Sequence, residues 1–359
     1  MLFILRQCCK FEATMSLFYS LCMAVSNSKH SNIPIFIPEL ACPHQCVFCN
    51  QAKISGAQHV PPPEDVPSIV ESYLSTMNDG REIEIAFFGG SFTGIPVDLQ
   101  REYLKAAYHY KKEGLVSGIR LSTRPDYISE EIVDLLLEFG VTAVELGAQS
   151  TNDEVLLASG RGHNFSHLKN AAGLIRKSGI SLGLQMMVGL PADSKERSLQ
   201  TARDIVNLGA DNTRIYPTLV IKGTALERLM NQGKYVPLSL DEAVETSKEI
   251  LKVFNNAGVK VLRIGLHQSD ELSPEKSLAA GPYHRSFSEL VQTELWYDLL
   301  KEQLGGYKGN AAVLVNGSQV NFVYGYEGKN RKRLAADGVF IKVSGRSDFE
   351  KYETRISAG

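Results

Sequence analysis

From about residue 33 the chain repeats one pattern: a short β-branched or aromatic run, a turn, then a stretch with apolar residues at helical spacing. The apolar runs predict strands at Ile33 to Pro38, Glu84 to Phe88, Gly118 to Ser122, Ala143 to Leu146, Leu182 to Val188 and Thr213 to Tyr216. Between them the periodicity predicts helices around residues 64–77, 97–111, 129–138, 165–177, 194–207 and 240–255, the last opened by a capping box of Ser239 and Glu242. Continuous apolar strands alternating with amphipathic helices predict a parallel sheet covered by helices. The predicted class is α/β, a partial (β/α)6 TIM-like barrel over residues 31–267. Glycine or proline follows most strands (Gly89-Gly90, Pro125, Gly147, Gly189, Pro217), so tight loops stand at the strand C-terminal ends, where such folds place their chemistry.

Past residue 268 the pattern changes to a turn, a helix holding the only tryptophan, Trp296, a linker at 305–310 and a small α/β tail, read together as a unit over 268–359. Residues 1–30 form an N-terminal extension. Met15 and Met23 are plausible later starts, and an over-extended start is the expectation, with an export signal as the alternative reading. Of the 359 residues 43% are hydrophobic and 22% charged, with a formal charge of -2, so neither a basic excess nor an acidic tail points to a partner. Apolar runs stay short of the roughly 20 residues a membrane-spanning helix needs. The expected location is cytoplasmic, where thiols stay reduced.

Three of the six cysteines, Cys42, Cys46 and Cys49, fall within "ACPHQCVFC", a C-x3-C-x2-C run. Structural zinc needs a fourth ligand and usually a second pair; no second pair exists, and His44 is crowded by its neighbours. A disulfide fails on count and on compartment. Clustered thiolates suit an iron–sulfur cubane better, and three thiolates leave one iron open, as reactive centres do.

Cys42, Cys46, Phe48 and Cys49, following the strand-like "IPIFIPEL", resemble the signature of the radical S-adenosylmethionine (radical SAM) superfamily. The resemblance implies a 4Fe–4S cluster on Cys42, Cys46 and Cys49 whose open iron takes S-adenosyl-L-methionine, and reductive cleavage of that cofactor to a 5'-deoxyadenosyl radical. It implies an electron donor of flavodoxin or ferredoxin type. By the same resemblance Phe48 packs near the adenine, and "AFFGGSFTG" supplies Gly89, Gly90, Ser91 and Thr93 around the amino group. Many members carry a glutamate where this chain has Ser91.

The stretches "LSTRPDYI", "VELGAQS", "SGRGH", "QMMVGLPAD" and "IYPTLVIKGTALE" are similar to the Elp3-like branch, the radical domain of the elongator catalytic subunit and its shorter bacterial relatives, over about Asn32 to Arg263. That likeness implies that Thr123 and Arg124 face the ribose and carboxylate of the cofactor. It implies that Glu145, Gln149 and Arg161 line the cavity between cofactor and substrate, and that Gly189 approaches the adenine. It also implies an RNA substrate, tRNA above all. Elongator subunits have a wider cysteine spacing and a C-terminal acetyltransferase domain; the 96 residues after Arg263 show no acetyl-coenzyme A signature, so acetylation is not carried over.

The tail "AAVLVNGSQVNFVYGYEGKNRKRLAADGVFIKVS" reads as strand, short helix, Gly325-x-x-Gly328, basic helix, strand. This order resembles the core of a KH module, whose GxxG loop clamps a nucleic-acid backbone. Lys329, Arg331, Lys332 and Arg333 would supply the positive field, although four basic residues in a row also describe a solvated helix face. Two rival functions stand beside RNA modification. One is a small-molecule radical reaction of the oxygen-independent coproporphyrinogen oxidase type, weakened by Gln51 where those enzymes carry a further cysteine. The other is a metal-stabilised RNA-binding protein without catalysis. Outside the N-terminal stretch no further cysteine is left for an auxiliary cluster.

Overall fold

The computed structural model describes residues 30–37, 46–50, 59–77, 82–266, 272–273 and 275–358. Seven parallel strands build the main sheet in the order β1 (His30–Phe36), β2 (Glu82–Phe88), β3 (Gly118–Thr123), β4 (Ala143–Gln149), β5 (Ser181–Val188), β6 (Asn212–Pro217) and β8 (Lys260–Ile264). The helices that cross back between them are α1 (Val66–Leu74), α2 (Val97–Lys112), α3 (Glu130–Glu138), the pair α4 (Asp153–Ala158) and α5 (Phe165–Ser178), α6 (Lys195–Asn207), and the pair α7 (Ala225–Asn231) and α8 (Leu240–Asn256). A two-residue strand β7 (Val220–Ile221) pairs with β9 (Leu278–Ala280). The expected α/β partial barrel is the observed class.

The sequence pattern predicts six strands; the sheet has a seventh, β8, at its edge. It carries Lys260 and Arg263, lies at the sheet edge, and buries only Ile264 fully, so the continuous apolar run that marks the inner strands is missing. The short helices α4 and α7 also escaped the periodicity, having too few turns to establish it.

Alternation along each strand sorts the sheet into two faces. Ile33, Ile85, Leu121, Val144, Leu184 and Ile215 belong to one continuous core with the covering helices. The opposite face carries charge. Arg120 donates to Glu84 at 2.7 Å and to Glu145 at 2.9 Å, Arg214 donates to Glu145 at 2.5 and 3.0 Å, and His30 contacts Glu84 at 2.6 Å. Glu145 on β4 reaches Arg214 on β6 over Gly183 of the strand between; a Cβ on Gly183 would stand 2.9 Å from Glu145 Cγ. The Arg214 guanidinium also lies 5.7 Å from the Phe88 ring. In a flat sheet, four strand spacings would hold β2 and β6 about 19 Å apart. The sheet is therefore strongly curled, and these pairs fill its concave side.

Helix α9 (Phe287–Leu304) is apolar on more than one side because it belongs to two cores. Val291 and Leu295 join the barrel core, while Trp296, Leu300 and Leu304 join that of the tail. The tail consists of β10 (Gly309–Asn316), α10 (Val320–Tyr324), α11 (Lys329–Ala336), β11 (Val339–Arg346) and β12 (Thr354–Ala358), with β10 central, parallel to β11 and antiparallel to β12. Among the described residues no helix is long and apolar enough to cross a membrane.

Candidate active site

The described part of the cysteine run is a tight turn in which the Cys49 amide donates to the Cys46 carbonyl at 3.0 Å. Two backbone bonds stitch it to the barrel: Val47 N–H donates to the Ser159 carbonyl after α4, and the Val47 carbonyl accepts from Leu226 at the start of α7. Phe48 packs against Val155, Met187 and Leu190 on one side and against Val220, Leu226 and Tyr235 on the other. Its ring wedges the turn onto the ends of β5 and β7. Cys42 lies outside the described residues.

Arg161 makes the decisive link. Its Nη1 donates to Cys46 Sγ at 3.4 Å, and its Nη2 donates to the Gly147 carbonyl in β4 at 2.6 Å. Its own carbonyl accepts from Arg124 Nη2. A cation beside the sulfur offsets the negative charge of a ligating thiolate. Arg124 is set by the end of β3 and by a bidentate pair with Asp126 at 3.0 and 2.9 Å. Burial alone would raise the Asp126 carboxyl; the Arg124 guanidinium outweighs it and holds the group below its usual range.

The loop after β2 is anchored beside Arg124. Ser91 Oγ and Thr93 Oγ1 meet Thr123 Oγ1 at 2.9 and 2.6 Å, and Ser91 Oγ accepts from the Arg124 amide at 3.2 Å. All three hydroxyls are buried and spent on one another. They fix where the Gly89-Gly90 turn runs, and Gly89 itself has φ +107. At the end of β5, Gly189 turns with φ +80 between two polar clamps: its amide donates to Asp193 at 2.9 Å and its carbonyl accepts from Tyr235 at 2.7 Å.

Gln149 has φ +65, left-handed for a non-glycine residue, where the β4–β5 register slips. Such a conformation costs of order 1–3 kcal/mol and persists where the surroundings enforce it, often at functional sites. Its Oε1 accepts from Gln185 at 3.4 Å.

The structure thus brings Cys46, Cys49, Phe48, Arg161, Arg124 and Gln149 to one end of the sheet, linked to the hydroxyl cluster of Ser91, Thr93 and Thr123. Glu145 stands apart from them: both its oxygens are taken by Arg120 and Arg214, deeper in the concave face. Gly325, Gly328 and the basic run belong to the tail.

Three residues of the site were missed. Asp126 and Asp193 lie inside the stretches "LSTRPDYI" and "QMMVGLPAD", yet their role as clamps depends on partners brought in by turn geometry. His163, two residues after Arg161, is buried; burial together with the nearby Arg161 and Arg124 cations pushes its imidazole down to about 3, so it is neutral. Arg161 Nε and Ser159 Oγ are buried without a hydrogen-bond partner among the described residues. Buried polar atoms are normally satisfied, so this group suits a polar ligand. The thiols beside it suit a thiolate-held metal cluster.

Comparison with known proteins agrees with that chemistry. The family profile described as "Radical SAM superfamily" matches residues 37–205, and that described as "Radical_SAM C-terminal domain" matches 210–297. A tRNA uridine(34) acetyltransferase of Methanocaldococcus infernus is 28% identical over 57% of this chain and 46% of its own length. An uncharacterized protein of Methanocaldococcus jannaschii is 28% identical over 72% of this chain and 84% of its own. The chain spans about half the length of the tRNA uridine(34) acetyltransferases it matches. Among solved structures, the archaeal Methanocaldococcus infernus Elp3 with an N-terminal deletion superposes with a TM-score of 0.60 at 23% identity, over 77% of this chain and 63% of that one, a likeness of fold. With two profiles spanning most of the chain and the cysteine turn, its arginine and the glycine loops gathered at one end of a curled parallel sheet, the chain belongs to the radical SAM superfamily, whose enzymes use a 4Fe–4S cluster and S-adenosylmethionine.

Proposed function

We propose that this enzyme modifies RNA, with tRNA as the substrate class. The observation that carries the reading is the likeness to tRNA uridine(34) acetyltransferases, 25 to 28% identical, while the Arg161 bridge between Cys46 and β4 supports the cluster chemistry. Cys42, Cys46 and Cys49 would hold the cluster, and the Gly89-Gly90 loop, Phe48 and the Gly189 turn would hold S-adenosylmethionine. Bound there, the cluster and S-adenosylmethionine would supply one-electron reductive chemistry, for which a flavodoxin- or ferredoxin-type protein would be the donor.

The chain's own side chains position and insulate. Arg161 fixes the cysteine turn to the sheet and balances thiolate charge. Phe48 and its apolar neighbours keep water from that side of the turn. His163, neutral at physiological pH, brings no competing charge beside Arg161. Glu145 and Arg214 are already paired and give the inner concave face a fixed, ion-paired lining.

Anaerobic reconstitution with iron and sulfide, reduction, and chromatography for 5'-deoxyadenosine with and without bulk tRNA tests the reading. Release that rises several-fold with tRNA is the expected result. Release indifferent to RNA overturns the RNA substrate, and no release at all overturns the enzymatic reading.

A further inference from the structure

The tail sheet has a covered face and an open one. Ala311, Val313, Val339 and Ile341 pack with Trp296 and Leu334 under the helices. The alternate positions of the same strands point away from that core, since successive side chains leave opposite faces. Phe340 is among them, 58% exposed. A single exposed apolar residue is ordinary; what surrounds this one is not. Lys342 follows on the same face of β11, and Arg355 stands on β12, both exposed. The cross-strand neighbours are small: Asn310 opposite Phe340, and Ala312 opposite both Lys342 and Ser357. At the open-face positions of the three strands (310, 312, 314, 316, 340, 342, 344, 346, 355 and 357) there is no Asp or Glu. Arg346 is already balanced by Asp348, a bidentate pair at 2.9 Å.

The basic helix, where the sequence pointed first, is partly committed elsewhere. Lys329 and Arg333 both pair with Glu294 of α9, at 2.7 and 2.8 Å, and the Arg333 guanidinium lies 3.5 Å from the centre of the Tyr297 ring. The loop between Gly325 and Gly328 is docked as well, its Tyr326 backbone N–H donating to Thr293 Oγ1 and the nearby Asn330 side-chain Nδ2 to the Thr293 carbonyl.

We propose that the open face of the tail sheet, centred on Phe340 with Lys342 and Arg355, binds single-stranded RNA. The choice of RNA rests on the tRNA reading above. An exposed ring with small neighbours accepts a stacked base, and stacking on an aromatic needs no particular sequence. Lys342 and Arg355 suit phosphates, with Arg355 resting 5.4 Å from the Phe349 ring near Asp348, whose carboxylate is already paired with Arg346. From Phe340 to Arg355 the diagonal across the sheet is about 16 Å by strand spacing and rise, which suits a short run of nucleotides rather than one small anion.

Fluorescence anisotropy of the full chain with a short labelled single-stranded oligoribonucleotide, across a salt series, tests this. Phe340→Ala is expected to weaken binding about 5- to 150-fold, the range of a lost base stack, while Phe340→Tyr stays close to the parent. Lys342→Gln with Arg355→Gln is expected to lower the slope of log affinity against log salt by about 1.4, at about 0.7 per phosphate contact. Arg331→Gln with Lys332→Gln serves as the control on the helix and is expected to change little. Affinity unmoved by Phe340→Ala overturns the proposal. So does binding lost only in the helix variant, or a dimer that Phe340→Ala dissociates with RNA affinity intact. The two readings separate cleanly. If Phe340→Ala weakens RNA binding while 5'-deoxyadenosine release ignores tRNA, the platform stands and the tRNA-modifying function falls. If tRNA stimulates release but Phe340→Ala binds RNA normally, the reverse holds.

Discussion

Arg161 Nη1 lies 3.4 Å from Cys46 Sγ while Nη2 of the same guanidinium lies 2.6 Å from the Gly147 carbonyl, so one planar side chain fastens the cysteine turn to β4. The planar fork of the guanidinium serves the two contacts from separate nitrogens in one fixed plane, which a lysine ammonium does not reproduce. Groups that orient metal ligands change metal affinity or activity by about 10- to 100-fold when removed. Arg161→Met is therefore expected to lower iron retained per chain and to reduce 5'-deoxyadenosine release by about that factor, with Arg161→Lys in between. Iron and sulfide assays, read beside far-UV circular dichroism, separate a lost link from a lost fold.

Gly189 makes a second, purely steric prediction. Its φ of +80 disfavours any side chain, and a Cβ there would stand 2.8 Å from Leu238 Cδ1. Gly189→Ala is expected to cost about 1–3 kcal/mol from the backbone alone, seen as a lower denaturant midpoint. Adding Leu238→Ala removes the clash but not the backbone cost, so the double variant should recover only part of the loss after correction for Leu238→Ala alone.

The charged row on the concave face sets a pH dependence. Burial would raise the Glu84 carboxyl, but hydrogen bonds from His30 and Thr142 and the Arg120 cation outweigh it and hold the group at about 2. A carboxylate depressed in the folded state gives stability that is present above its unfolded value near 4.5 and is lost as pH falls through about 2. The shift corresponds to about 3 kcal/mol. Chemical denaturation between pH 5 and pH 2 should show that loss, and Glu84→Gln should flatten it while lowering stability at pH 7. An unchanged slope in Glu84→Gln would remove Glu84 as the source.

Much of this was legible in the sequence. Glu84 to Phe88 and Leu182 to Val188 on inner strands, and Ile33 to Phe36 on the apolar edge strand β1, are marked by their apolar content. The loops with chemistry could be picked out because glycine, cysteine and arginine are costly to place at a strand end without a use. What stayed hidden depends on distance in space. Glu145 is expected to line the cavity, and only the glycine at 183 and the arginine at 214, far along the chain, show how its oxygens are used. Edge strand β8 hid because its outer positions are charged. His163 gave no signal in isolation; its neutrality follows from burial beside two arginines.

Glu294 carries the last prediction, because it decides what the basic helix of the tail does. It accepts from Lys329 and Arg333 and ties α11 to α9, and these cations outweigh burial to hold its carboxyl below the usual range. The Arg333 guanidinium also lies against Tyr297, so removing it takes away packing as well as charge. Lys329→Ala with Arg333→Ala is expected to destabilise the chain by about 1–2 kcal/mol, since a half-buried carboxylate loses both partners. Arg331→Ala with Lys332→Ala, two exposed positions, should stay within about 0.5 kcal/mol of the parent. Replacing all four at once would therefore confuse a loosened tail with a lost nucleic-acid contact. Adding Glu294→Gln to the Lys329 and Arg333 pair should restore part of the lost stability by removing the stranded charge; equal stability with and without that third change would mean the carboxylate was solvated all along.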